Sequence, residues 1–278
     1  MPAPQVSDGG VAAALTPDLT FVRRLGVGGQ RVVCLVDREG EQIVLKLMNA
    51  DAWDRAEREV AVGQRFAHSG LSTILGDLIK IEVEGISCIY FLEEFIEGES
   101  LEALGQMQLC EALKLGEELI ASAQYLYDEH HLVHRDIKPA NIMRRPDGHF
   151  VLLDVGVARH QDLDTLTAFN APHGPGTPGY LAPEQLVASK GHDLDSRADQ
   201  FAIAIVIFER LAGQLPFDPT AGSYRTLLTT GTVGRWDGVP DIARPLLERM
   251  LQPKPHRRYR PEHVVTAIEK VKGEAGCS

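Results

Sequence analysis

One eight-residue run constrains this chain more than any other segment: residues 134–141 read His-Arg-Asp-Ile-Lys-Pro-Ala-Asn. Thirteen residues beyond the final Asn, the chain reads Asp154-Val155-Gly156. Together the two segments supply two carboxylates, an amide and a lysine. Carboxylate and amide oxygens match a hard divalent cation, and a lysine can neutralise charge on a phosphoryl group in transfer. A combination of this length seldom arises by chance.

Length and composition indicate a globular protein. The chain has 278 residues, of which 44% are hydrophobic and 24% charged, so it can bury one or two cores and is too apolar for bulk disorder. Its net charge of -11 argues against a nucleic-acid or anionic-membrane surface, since both need a basic footprint.

The cysteines and apolar runs predict a cellular compartment. Cys34, Cys88, Cys110 and Cys277 form no Cys-x-x-Cys pair, which argues against zinc and predicts reduced thiols. The longest apolar run, residues 201–208, is too short for a membrane span, which needs roughly 20 residues. The N-terminus lacks a basic head followed by an apolar stretch, so no secretory signal is visible. We therefore expect a cytoplasmic protein without membrane insertion.

Changes in composition and hydrophobic periodicity along the chain predict an N-terminal arm followed by two lobes. Residues 1–20 are rich in Ala, Pro and Gly without a sustained period, so we expect a flexible arm. Residues 21–97 read as a five-strand, one-helix lobe, and residues 98–278 as a larger, mainly helical lobe. The fold class is α+β. The strand-like runs lie at 21–25, 32–36, 43–48, 79–83 and 87–95, and the helical runs at 54–67, 111–130, 197–212, 240–252 and 261–272.

The motifs resemble those of a eukaryotic-like (Hanks-type) serine/threonine protein kinase catalytic domain, of the bacterial kind. The resemblance covers about residues 20–272 and implies a bilobal kinase fold that uses ATP and Mg²⁺, with Mn²⁺ as an alternative metal. It implies that Asp136 orients the substrate hydroxyl and that Lys138 neutralises the γ-phosphate, while Asn141 and Asp154 bind the metal. The Asp-x-Lys-Pro-x-Asn context is similar to serine/threonine kinases rather than tyrosine kinases.

The same resemblance implies a nucleotide site in the first lobe. Leu25 and the run Gly26-Val27-Gly28-Gly29 are similar to the kinase glycine loop, whose backbone N–H groups approach phosphates, although Arg31 replaces the third glycine. Lys46 would bind phosphates and a helix glutamate. We prefer Glu59, which lies nine residues before His68, and Glu57 remains an alternative. The further nucleotide contacts that the resemblance implies are Val33, Val44, Met143, the gatekeeper position Glu93, and the backbone of Glu94 and Ile96.

Three further positions depart from the kinase pattern. Glu93 occupies the gatekeeper position, where a kinase usually has a hydrophobic residue, Val155 replaces the Phe of Asp-Phe-Gly, and Gly63 replaces a large apolar residue. We hypothesise that the hydrophobic column between the lobes is weak and that Glu93 competes with Glu59 for Lys46 in a resting state. Alternatively, Glu93 is one register off, or is hydrogen-bonded in a polar pocket without regulatory effect.

A long irregular segment precedes Gly-Thr-Pro-Gly-Tyr-Leu-Ala-Pro-Glu at residues 176–184, which is similar to the end of a kinase activation segment. The resemblance implies that Thr177 bonds the catalytic aspartate and lysine, and that Glu184 forms a buried pair with Arg258. It further implies that Asp199 caps the catalytic-loop backbone. Arg135 would bind a phosphothreonine, for which Thr165 and Thr167 are the candidate phosphosites.

The leading interpretation is an active kinase that phosphorylates Ser or Thr of protein substrates and its own activation segment. An antagonistic phosphatase fits the family as a further partner, and the oligomeric state stays open. The basic cluster at residues 254–260 reads as a solvated surface, not as a nucleic-acid site. Two alternatives remain: a pseudokinase that serves as a nucleotide-gated binding module, and a small-molecule kinase. The peptide-docking motif at residues 176–184 argues against the second.

Overall fold

The computed structural model describes residues 2–155, 159–160, 177–186 and 194–277. The chain divides into two compact units, Met1–Glu97 and Gly98–Ser278.

The first unit is built on a five-stranded antiparallel sheet in the order β1-β2-β3-β5-β4. Its strands are β1 Thr20–Gly28, β2 Arg31–Arg38, β3 Glu41–Asn49, β4 Ile74–Val83 and β5 Ile86–Glu94. Tight hairpins join β2 to β3 and β4 to β5, and both central residues of each have positive φ: Glu39 (56°) with Gly40 (90°), and Glu84 (53°) with Gly85 (78°). The five predicted strands are confirmed.

The two faces of this sheet have different coverings, because successive side chains alternate. One face carries the larger apolar cluster, which includes Val32, Cys34, Val36, Ile43, Leu45, Leu47, Cys88, Tyr90 and Leu92. The other face packs Met48, Ile89 and Phe91 against Ala56 and Val60 of α2, Trp53–Gly63. This helix begins one residue before the predicted run 54–67 and ends four residues before its end. Strand alternation therefore places Arg31, Lys46 and Glu93 on the helix-covered face.

The first twenty residues are not a flexible arm, and that expectation is wrong. A short helix, α1 Asp8–Ala14, lies in this segment, and Ser7 caps it by accepting a hydrogen bond from Gly10 N at 2.9 Å. Ala3, Val6 and Val11 are buried in the larger apolar cluster, together with Leu19. These three apolar residues are enough to dock the segment on the apolar face of the sheet. Because they are irregularly spaced, hydrophobic periodicity does not predict the docking.

The second unit is mainly helical. Its helices are α3 Leu109–His130, α4 Ser196–Ala212, α5 Tyr224–Thr230, α6 Arg244–Met250 and α7 Pro261–Glu274. Its strands are β6 Glu99–Ser100, β7 Leu132–Val133, β8 Ile142–Arg144, β9 Phe150–Leu152 and β10 Arg159–His160. The predicted helices that correspond to α3, α4 and α7 are confirmed, α6 is shorter than predicted, and α5 was not predicted. Helix α4 is buried almost all round, as its apolar sequence requires, and packs against α3.

A disulfide joins Cys110 at the start of α3 to Cys277, just beyond α7. The expectation of four reduced thiols is therefore wrong for these two residues, while Cys34 and Cys88 are free and buried. The two bonded cysteines are separated by 167 residues, and only the packing of α7 on α3 brings them together. Sequence spacing therefore gives no sign of the pair.

Candidate active site

The loop that follows β7 is anchored to helix α4 by one buried carboxylate. Asp199, 1% exposed, accepts hydrogen bonds from His134 N at 2.8 Å and Arg135 N at 2.9 Å. Burial raises the pKa of Asp199, whereas the nearby His134 and the two N–H donors favour the ionised form. The His134 ring bonds Leu153 O at 3.1 Å, which ties the loop to the residue before Asp154.

Arg135 links the loop to the segment around residue 184. Its φ is 70°, in the left-handed region that a non-glycine residue occupies only when its surroundings hold it there. Gln185 donates to Arg135 O at 3.0 Å and accepts from Ala182 N at 2.9 Å. The side chain of Arg135 is buried. The candidate phosphosites Thr165 and Thr167 lie outside the described residues.

Asp136, Lys138 and Thr177 form a closed triangle of contacts. Lys138 Nζ lies 2.8 Å from Asp136 Oδ2 and 2.6 Å from Thr177 Oγ1. The Thr177 hydroxyl donates to Asp136 Oδ1 at 2.9 Å, and its backbone N–H donates to the same oxygen at 3.1 Å. The carboxylate is therefore fixed in one orientation by donors on both oxygens.

The residues implied for metal binding follow the same loop. Asn141 donates through Nδ2 to Asp136 O at 2.9 Å and to Asp136 Oδ2 at 3.2 Å, so its amide oxygen is the atom left to act as a ligand. Asp154 has φ of 59°, a left-handed conformation that Asp tolerates better than most residues. An amide oxygen and a carboxylate form a hard donor set that fits Mg²⁺, which usually takes its remaining ligands from phosphates and water.

A cavity of about 310 Å³ opens beside this triangle, and its lining includes Lys138, Thr177, Tyr180 and Glu209. The Tyr180 hydroxyl donates to Glu209 at 2.9 Å, and burial raises the pKa of Tyr180. The segment at residues 177–186 and helix α4 therefore both contribute to the lining of this cavity.

Glu184 and Arg258 form the buried pair that the resemblance implies. Their two hydrogen bonds measure 2.6 and 2.8 Å, and the Arg258 side chain is 0% exposed. The pair secures the end of the 177–186 segment to the chain between α6 and α7.

The predicted glycine loop lies at the junction of β1 and β2. Leu25, Gly26, Val27 and Gly28 belong to β1, and Gly29 stands in the turn. A Cβ added at Gly26, Gly28 or Gly29 would meet no described atom within 4 Å. Internal packing therefore does not require these glycines, as expected for a backbone that a ligand approaches.

Lys46 on β3 is bound by Glu93 on β5, and both side chains are below 10% exposed. Glu93 also accepts a hydrogen bond from the Ser72 hydroxyl. The structure therefore places Glu93 in β5, in a polar pocket and in contact with Lys46. Glu59, preferred from the sequence as the partner of Lys46, forms an ion pair with Arg31.

The other implied nucleotide contacts occupy separate elements. Val33 lies in β2, Val44 in β3, Glu94 at the end of β5 and Ile96 just beyond it, whereas Met143 lies in β8 of the second unit. Glu94 N donates to Thr73 O at 2.9 Å. The backbone groups of Glu94 and Ile96 stay the predicted adenine contacts.

The departures at Gly63 and Glu93 have local explanations. A Cβ at Gly63 would lie 2.4 Å from Ile74 Cδ1, so the glycine permits α2 to approach β4. The weak hydrophobic column stays a hypothesis.

The sequence did not predict the roles of Ser72 and Gln185 or the ion pair of Arg31, because each depends on a contact distant in sequence. Among these residues, only Arg31 was unusual in the sequence, since it replaces the third glycine of the kinase pattern.

A family model for the protein kinase domain matches residues 19–267. The serine/threonine-protein kinase PksC of Streptomyces coelicolor is 28% identical over 261 residues, which cover 84% of this chain and 45% of the relative. PrkC of Bacillus subtilis, also a serine/threonine-protein kinase, is 28% identical over 261 residues, or 86% of this chain and 38% of the relative. The chain thus spans less than half the length of both. In the described part of the chain, no helix is long and apolar enough to cross a membrane.

Proposed function

This chain belongs to the protein kinase domain family, and from that premise we propose that it is a serine/threonine kinase. The reaction transfers the γ-phosphoryl group of ATP to the hydroxyl of Ser or Thr in a protein substrate. Its serine/threonine-kinase relatives support this choice of acceptor.

The observation that carries the proposal is the triangle of Asp136, Lys138 and Thr177. A carboxylate with donors on both oxygens cannot rotate freely, so it presents a defined acceptor to an incoming hydroxyl. The neighbouring cavity, lined in part by Tyr180 and Glu209, offers space for the peptide that carries this hydroxyl.

In the proposed mechanism, Asp136 orients the substrate hydroxyl and accepts its proton as the oxygen attacks the γ-phosphorus. The bond between this phosphorus and the β,γ-bridging oxygen breaks, and ADP leaves. Lys138 supplies a positive charge where the transferred group becomes more negative. Thr177 holds both residues in register, since its hydroxyl contacts each of them.

Asn141 and Asp154 would hold a divalent cation, for which Mg²⁺ is the first choice and Mn²⁺ the alternative. Such a cation neutralises phosphate charge when it is bound. In the first unit, the backbone from Gly26 to Gly29 and the Lys46 ammonium would bind the phosphates. Val33 and Val44 would cover the adenine.

Regulation and partners extend the proposal. Autophosphorylation at Thr165 or Thr167 would create a phosphate for Arg135 to bind. A protein phosphatase would reverse this modification. A cytoplasmic location stays a prediction.

The first test incubates purified protein with Mg-ATP and maps phosphosites by mass spectrometry. Asp136→Asn serves as the inactive variant, and Asp147→Asn makes the same substitution in an exposed turn. We expect phosphate on Thr165 or Thr167 in the parent and in Asp147→Asn, and none in Asp136→Asn. If the parent transfers phosphate neither to itself nor to a generic basic protein, the kinase proposal fails in favour of a pseudokinase.

A further inference from the structure

Four charged side chains meet on the helix-covered face of the sheet in the first unit. Arg31, Lys46 and Glu93 project from strands, and Glu59 projects from α2. Their side chains are 12%, 9%, 6% and 6% exposed, respectively. Buried charges are costly unless they are paired. Because the set holds two cations and two carboxylates, its formal charge is zero.

The sheet register determines the partner of Lys46. Lys46 stands opposite Phe91 and Val44 stands opposite Glu93, so Lys46 and Glu93 are diagonal neighbours on adjacent strands. Long side chains reach across such a diagonal. The Ser72 hydroxyl donates to the same carboxylate. The sheet register therefore places one counter-ion, Glu93, beside Lys46.

Helix α2 instead contacts the glycine loop. Its Glu59 carboxylate binds the Arg31 guanidinium, and Arg31 is the first residue of β2, directly opposite Gly28 across the turn. The Arg31 and Lys46 cations each lie 5.9 Å from the centroid of the Phe91 ring. The two cations therefore converge on one buried aromatic residue beneath the loop.

We propose that Arg31 is a second phosphate-binding cation of the nucleotide site, that Glu59 is its positioning residue, and that Glu93 is the positioning residue of Lys46. This inference rests on the proposed kinase function. It assigns Glu59 to a different cation from the one that the sequence resemblance implies. Any displacement of α2 would then change phosphate binding through Arg31, while the sheet keeps Lys46 in place.

The chemistry of arginine suits this role. A guanidinium presents planar donors that match phosphate oxygens, and it stays charged at every working pH. The ion pair with Glu59 reduces the conformational freedom that Arg31 would otherwise lose when a phosphate binds. Neutralising Glu59 should therefore weaken ATP affinity only while Arg31 is present.

The test is a pair of double-mutant cycles on the full chain, read by calorimetric titration with ATP and with adenosine, which lacks phosphates. Arg31→Gln should weaken ATP binding about tenfold, which corresponds to about 1.4 kcal/mol, and leave adenosine binding within about twofold. Glu59→Gln should weaken ATP binding about threefold alone and add nothing to Arg31→Gln. The loss of ATP binding free energy in Glu59→Gln should add fully to the loss in Lys46→Gln.

Matched control variants distinguish the loss of a specific ion pair from the general effect of removing one charge. Arg38→Gln lies at the opposite end of β2, and Glu57→Gln lies exposed on α2. Both should bind ATP like the parent. The parallel cycle of Glu93→Gln with Lys46→Gln should be non-additive, whereas Glu93→Gln with Arg31→Gln should be additive.

Two results would overturn the inference. One is a Glu59→Gln effect that is additive with Arg31→Gln and non-additive with Lys46→Gln, because Glu59 would then serve Lys46. The other is an unchanged ATP affinity in Arg31→Gln. A parent protein that binds ATP yet transfers no phosphate would contradict the proposed function. The ATP affinities of the variants could still be measured, so a failure of the inference can be distinguished from a failure of the proposed function.

Discussion

Replacing Arg258 by Met removes the charge from an enclosed ion pair of the second unit while keeping a long side chain. The guanidinium is 0% exposed and forms two bonds to the Glu184 carboxylate, at 2.6 and 2.8 Å. It also lies 4.6 Å from the centroid of the Phe201 ring. Its remaining contacts are to the carbonyl oxygens of Gln252 at 2.7 Å, Arg197 at 2.7 Å and Pro253 at 3.1 Å.

The magnitude follows from what the substitution leaves behind. Glu184, with its side chain only 17% exposed, loses its counter-ion, and three carbonyl groups lose a donor. Breaking a buried pair on one side costs about 3–5 kcal/mol. For a unit of about this size, each kcal/mol lowers the melting temperature by roughly 2–4 °C, so we expect a decrease of about 6–20 °C.

Differential scanning calorimetry measures this change, with Arg235→Met as the matched control. Arg235 pairs with Asp237 at 2.7 Å, but these side chains are 74% and 69% exposed. Solvent screening makes such a pair worth little, so the control should stay within about 0.5 kcal/mol of the parent. Equal melting temperatures for Arg258→Met and Arg235→Met would contradict the expected cost of breaking a buried ion pair.

Three further outcomes are expected. Unfolded, unreduced protein should show two titratable thiols, and reduction should raise the count to four; four thiols before reduction would contradict the bond between Cys110 and Cys277. Burial raises the pKa of Cys34 to about 11. The free energy of unfolding should therefore fall as pH rises from about 9 to 11, and Cys34→Ala should lessen the fall; parallel urea-unfolding curves would contradict this. Val11→Asp should destabilise the protein by about 3 kcal/mol, because Val11 is 1% exposed; an unchanged urea midpoint would show that α1 is not docked.

Local patterns in the sequence predicted most of the architecture. The strands of the first unit and helices α3, α4 and α7 have a clear hydrophobic periodicity in the sequence. Their positions therefore follow from side-chain alternation in strands and from helical spacing. The contacts of Thr177 with Asp136 and Lys138 were implied by resemblance to a motif of fixed geometry. The pair of Glu184 and Arg258 was implied in the same way.

Features that depend on distant packing could not be predicted. Val6 and Val11 are ordinary apolar residues in a weakly patterned segment, and only the open face of the sheet gives them a place. Helix α5 is short, and its sequence Tyr-Arg-Thr-Leu-Leu-Thr-Thr has little periodicity. The ion pair of Glu59 with Arg31 joins a residue of α2 to the first residue of β2. No spacing rule encodes that relation.

The bond between Cys110 and Cys277 turns most of the second unit into a covalent ring. The catalytic loop, the metal-binding candidates and helix α4 all lie on this ring. A protease that cuts the backbone once, anywhere between the two cysteines, therefore produces one nicked molecule that differs from the intact chain by one water. The two pieces separate only after reduction, so gels run with and without reductant reveal whether cleavage fell inside the ring.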